Sequence, residues 1–70
     1  MRYAIVIEKA KSNFSAYVPD LPGCGATGAT IELVERNIRA AIEMHLAGMR
    51  EDGEPIPVPS SRVDYIDVAA

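Results

Sequence analysis

The sequence predicts a two-layer α+β domain: a four-stranded, mainly antiparallel sheet with one helix, in the order βββαβ. Three observations predict it. Short segments alternate apolar and polar residues with a period of two, as half-buried strands do. One long segment repeats its apolar residues at helical spacing. Glycine and proline clusters mark the boundaries between them. The whole chain, 1–70, reads as a single domain.

The first strand is expected over Arg2–Ala10, with Tyr3, Ile5 and Ile7 on one face and Ala4, Val6 and Glu8 on the other. Lys11-Ser12-Asn13 is a polar turn, and Phe14–Val18 returns as the second strand of a hairpin. Pro19 stops that strand, because a residue before proline is held extended. Pro22-Gly23 suits the centre of a type II turn, where glycine takes the positive φ. Cys24–Ala29 is small and glycine-rich and reads as a short third strand.

Thr30 is placed to cap a helix, and Glu32 puts a negative charge in its first turn. The helix is expected to reach about Glu51, with Gly53 as terminator. At about 100° per residue, Ile31, Val34, Ile38, Ala41, Ile42, His45 and Met49 form the stripe that faces the sheet. Leu33, Ala40, Met44 and Ala47 cluster on the opposite side, which is less polar than a solvated face. Pro55, Pro57 and Pro59 hold the next stretch extended. Val63–Val68 then reads as the fourth strand. One helix covers one sheet face, so Ala4, Val6, Tyr17, Val63 and Tyr65 are expected on the uncovered one.

A chain this short has little core to spend on stability, about 3–5 kcal/mol at most, and usually adds disulfides, metal or a partner. One cysteine and one histidine exclude an intrachain disulfide and a structural zinc site. A homo-oligomer, dimer or tetramer, is therefore expected. No apolar run approaches the roughly 18 residues of a membrane span, and no secretory signal opens the chain, so the expected location is cytoplasmic. Seven basic residues stand among ten acidic ones, for a net charge of −3. That balance argues against direct nucleic-acid binding and suits a basic protein partner.

Three groups of residues invite a chemical reading. Cys24 and His45 are the lone nucleophile–base combination, but His45 falls in the apolar stripe and Cys24 in a turn, so neither is expected to be catalytic. Glu8, Asp20, Asp64 and Asp67 are the acids available to a metal-dependent nuclease, yet Asp64 and Asp67 fall on opposite faces of their strand. Gly23-Cys24-Gly25-Ala26-Thr27-Gly28 matches G-x-G-x-x-G letter for letter, but no parallel βαβ unit surrounds it. No catalytic, cofactor-binding or metal-binding residue is expected.

Pro19-Asp20-Leu21-Pro22-Gly23-Cys24, then Thr27-Gly28-Ala29-Thr30, Asn37, and Gly53 with Ile56-Pro57-Val58-Pro59 resemble the HicB family of antitoxins. The resemblance runs over nearly the whole chain, and the proline–glycine–cysteine turn is its most specific part. Where the family usually has an acid this chain has Ala29, and where it has an acid followed by alanine this chain has Leu33 and Val34. The resemblance implies a partial RNase-H-like sheet with one helix. It also implies binding to HicA, a small basic ribonuclease toxin, whose active site the antitoxin occludes. Many relatives carry a further DNA-binding segment, for which these 70 residues leave no room, so a short form without operator binding is expected.

The expected function is thus that of a HicB-like antitoxin, or an orphan interaction module, without enzymatic activity or cofactor. The alternative is a minimal metal-dependent ribonuclease on an RNase-H-like sheet. Tyr17, Leu33, Ala40, Met44, Ala47 and Tyr65 are the residues expected at a partner or oligomer interface.

Overall fold

In the computed structural model, which describes residues 1–69, strands Val6–Lys9 (β1), Phe14–Tyr17 (β2) and Gly25–Gly28 (β3) are followed by one helix, Ile31–Glu51 (α1). The sheet is antiparallel in the order β1-β2-β3. Ile7, Ala16 and Ala26 lie side by side across the three strands on the face that meets the helix. Val6, Tyr17 and Gly25, and Glu8, Ser15 and Thr27, form the rows of the other face.

The strands are shorter than the alternation suggests. Residues 2–5 were expected in the first strand, but β2 ends at Tyr17 opposite Val6, so nothing continues the ladder beyond that pair. Pro19 is the reason. From Val18 the chain folds into two linked turns: the Leu21 N–H donates to Val18 O at 3.0 Å and the Cys24 N–H to Leu21 O at 3.1 Å. Gly23 takes φ +81°, as the second central residue of the Pro22-Gly23 turn must. The Val18 N–H returns to Cys24 O at 3.2 Å and closes the loop.

The helix begins as the capping residue dictates. Thr30 Oγ1 accepts from the Leu33 N–H at 3.1 Å. It stops where Gly53, at φ +70°, allows the Glu54 N–H to reach Met49 O at 2.9 Å and the Gly53 N–H to reach Arg50 O at 3.2 Å, the paired bonds of a Schellman ending. Val34, Ile38 and Leu46 are its buried residues. Two expectations for the stripe need correction. Ile31 is 45% exposed, because it opens the first turn beyond the cap and has no sheet beneath it. Leu46, outside the predicted stripe, is buried and widens it.

The core comprises Ala16, Val18, Leu21, Cys24, Val34, Ile38 and Leu46, so the turn after β2 supplies as much of it as the helix does. α1 packs on β3 and β2 rather than over β1. Gly28 lets the helix come that close: a Cβ there would sit 2.5 Å from the backbone nitrogen of Val34. Asn37 Nδ2 donates to Thr27 O at 2.7 Å and ties the helix to the same strand.

The predicted fourth strand does not form. Residues 62–69 are exposed, with Tyr65 at 88% and Ile66 at 81%, and among the described residues they belong to no ladder. A strand is defined by a paired neighbour, and here the chain comes back beside Arg2–Ala4 without pairing with a strand of the sheet. The four-stranded RNase-H-like sheet expected from the sequence is therefore three strands and a helix, still α+β. Ala4 precedes β1, and Val63 and Tyr65 consequently do not join Val6 and Tyr17 on the open sheet face.

Candidate interaction surfaces

The motif turn Pro19–Cys24 is a structural device with one functional group. Leu21 is fully buried and Cys24 is 5% exposed, which raises the thiol pKa by desolvation and removes it from nucleophilic use. Asp20 faces the other way. Its Oδ2 accepts from the backbone N–H groups of Ser60 and Ser61, both at 2.9 Å, and its Oδ1 from the hydroxyls of Ser61 at 2.7 Å and Ser60 at 3.2 Å. One carboxylate thus fastens the stretch after the prolines to the turn after β2. Bonds from Ser61 and Ser60 hold its pKa down at about 2. The Tyr3 hydroxyl adds a second tie by donating to Pro57 O.

The sequence reading missed this latch. Asp20 stood out within the turn motif, but its partners lie 40 residues away, and no local pattern announces them. The folded pKa is below the ordinary 3.8, so the contribution to stability is present above the carboxylate range and is lost as pH falls from about 4 toward 2. Asp20→Ala is expected to leave the fold intact near neutral pH and to abolish protection of the Ser60 and Ser61 amides from hydrogen exchange. Wild-type protein should lose the same protection in that acid window. Unchanged protection in the variant would show that the latch holds nothing.

The predicted contact residues divide into three places. Leu33, Ala40, Met44 and Ala47 are all exposed on the outer side of α1, with Leu33 at 38% and Met44 at 76%. Tyr17, 48% exposed, lies on the open face of β2, and Tyr65 on the unpaired segment. The six therefore do not form one surface. The helix stripe is the coherent part, an apolar band on an otherwise charged helix.

A second surface was not foreseen. Because α1 sits over β2 and β3, a cleft of about 610 Å³ opens between it and the chain leading into β1. Tyr3, Ile5, Ile38 and Ile42 floor it, and Glu35, Arg39 and Glu43 rim it. The signal was present in the sequence as two apolar rows, but their separation depends on where the helix lands.

The acids that a metal-dependent nuclease would need do not converge. Asp20 is engaged with the serines, Asp64 accepts from the Tyr65 N–H at 2.8 Å, and Glu8 is exposed on β1. No group of three or more His, Cys, Asp or Glu among the described residues could hold a metal ion. No hydrogen bond joins Cys24 to His45 among those residues, and no helix there is long and apolar enough to cross a membrane.

Comparison with known proteins gives these surfaces a context. Residues 3–69 match the family described as HicB_like antitoxin of bacterial toxin-antitoxin system. A 14.9 kDa protein from the rep-hol intergenic region of Haemophilus phage HP1 is 39% identical over 96% of this chain and 50% of its own. The UPF0150 protein of Helicobacter pylori is 43% identical over 67% of this chain and 65% of its own. The chain thus spans between half and two thirds of the length of these relatives. Among solved structures, a chain of the "HicA3 and HicB3 toxin-antitoxin complex" superposes with a TM-score of 0.74 at 32% identity, covering 86% of this chain and 70% of that one.

Proposed function

From the premise that this chain belongs to the HicB-like antitoxin family, we propose that it neutralises a small basic HicA-type ribonuclease toxin by binding over the toxin's active site. The observation that carries the reading is the match to a chain from a toxin–antitoxin complex, at 32% identity over 86% of this chain. Occlusion needs no catalytic group on the antitoxin. It needs a stable surface of suitable shape and charge, and the net charge of −3 favours encounter with a basic partner. The ribonuclease alternative gains no support from the dispersed acids.

We assign the toxin contact to the outer stripe of α1. Leu33 and Met44 expose apolar side chains there, with Ala40 and Ala47 keeping the band flat enough for close approach. The test is capture of a purified HicA-type toxin by this chain and by Met44→Asp. Met44 is 76% exposed, so the substitution leaves the fold alone. A charge placed in an apolar contact is expected to weaken capture by roughly tenfold or more. Equal capture by both proteins would remove the stripe from the interface, and no capture by either would remove the toxin.

A further inference from the structure

The sulfur atoms of this chain differ sharply in their access to solvent. Cys24 is buried under the motif turn, and desolvation pushes its thiol pKa up, which keeps it from acting as a thiolate. Met49 packs against the core from the inner side of α1. Met1 is exposed, but at the start of the chain and outside the helix. Met44 is the exposed thioether of α1, and it stands in the outer apolar stripe. Its neighbours one turn away in either direction are Ala40, Ala41, Ala47 and Gly48. None of them carries more than a methyl group, and nothing lies within 4 Å of a Cβ placed on Gly48. The thioether therefore rises from a floor of small residues, with no long side chain beside it to screen it. That floor also lacks any side-chain hydrogen-bond donor, and the backbone N–H groups below are spent within the helix.

We propose that Met44 is a reversible oxidation site, and that a hydroperoxide acting there releases the partner held by the outer stripe of α1. The partner is the toxin of the proposed function, and the switch rests on that reading. The Met44 sulfur attacks one oxygen of hydrogen peroxide. An S–O bond forms as the O–O bond breaks, and the other oxygen leaves with both protons as water. The sulfur is oxidised by two electrons and the peroxide is reduced. A methionine sulfoxide reductase supplied with thiols reverses the change: the oxygen leaves as water and two thiols become a disulfide. In the free chain the sulfoxide oxygen points into solvent and is hydrated, so the fold is untouched. Under a partner it is buried over Ala40, Ala41, Ala47 and Gly48, whose side chains cannot donate to it. The penalty thus falls on the complex and not on the free chain, as a release switch requires. A bound toxin in turn covers the sulfur and shields it from the oxidant.

The experiment uses the full chain, hydrogen peroxide and a purified HicA-type toxin. Peptide masses after digestion locate the added oxygen, and capture is measured before and after treatment for wild type and for Met44→Leu. Met44 should take up oxygen ahead of Met49, and more slowly with toxin bound. Treated wild type should capture toxin roughly tenfold more weakly than untreated, and methionine sulfoxide reductase should restore it. In Met44→Leu, an apolar helix former without sulfur, treatment should change nothing, although Met1 and Met49 are still present. Equal capture by treated and untreated wild type, with the oxygen located on Met44, overturns the proposal. A loss in Met44→Leu as large as in wild type overturns it too, by placing the damage at another sulfur. So does oxidation of Met49 ahead of Met44. Capture that Met44→Asp weakens and the sulfoxide does not leaves the toxin contact standing and removes the switch alone, whereas no capture by the untreated chain removes both.

Discussion

Gly28→Ala is expected to remove most of the stability of the fold and to unfold up to about half of the population at room temperature. The added Cβ would lie 2.5 Å from Val34 N and 2.9 Å from both Leu33 C and Val34 Cα, all main-chain atoms of the first helical turn. None of these can swing aside as a side chain does. Their positions are fixed by the Thr30 cap and by the Val34 N–H bond to Thr30 O at 2.9 Å. The methyl group can be accommodated only if α1 lifts from β3, which also breaks the Asn37 bond to Thr27 O. Overpacking of this kind costs on the order of 3 kcal/mol, close to all that a core of this size supplies. Gly48→Ala provides the contrast within the same chain. Nothing lies within 4 Å of a Cβ there, and the residue is helical, in the last turn, so that change should stabilise by about 0.5–1 kcal/mol. Urea unfolding followed by circular dichroism reads both. Similar midpoints for the two variants would mean that the helix does not rest on Gly28.

Leu21→Ala should cost about 2–5 kcal/mol, although Leu21 belongs to a turn rather than to a strand or helix. Its side chain is fully buried in a cluster with Val34 and Ile38. The turn backbone is bonded to itself at Leu21 N–Val18 O and Cys24 N–Leu21 O, so it closes over the vacated space poorly and a cavity remains. The change should also loosen Asp20, the preceding residue, and with it the latch on Ser60 and Ser61. A fall in the unfolding midpoint with reduced protection at those serines is the expected pair of results. A stability near that of wild type would mean that the motif turn is surface decoration.

These two positions also show what the sequence could and could not reveal. The helix was legible from cap to terminator because Thr30, Glu32 and Gly53 act within a turn of their own position. The hairpin and the Pro22-Gly23 turn were legible for the same reason. What was missed depends on distant placement. Ladder length depends on where both partners stop, so Arg2–Ile5 looked like strand until Pro19 turned β2 away. Val63–Val68 has the composition of a strand, but composition does not supply a neighbour. The outer stripe with Leu33 and Met44 was visible at helical spacing, whereas the Asp20 latch and the cleft beside Ile5 required the folded chain.

Antitoxin action is the central claim, and cleavage of RNA by a purified HicA-type toxin, titrated with this chain, tests it most directly. The account predicts that cleavage falls in proportion to added chain and stops near equimolar amounts, while the chain alone leaves RNA intact with or without magnesium. Undiminished cleavage at a large excess of the chain, or degradation of RNA by the chain itself, would contradict it.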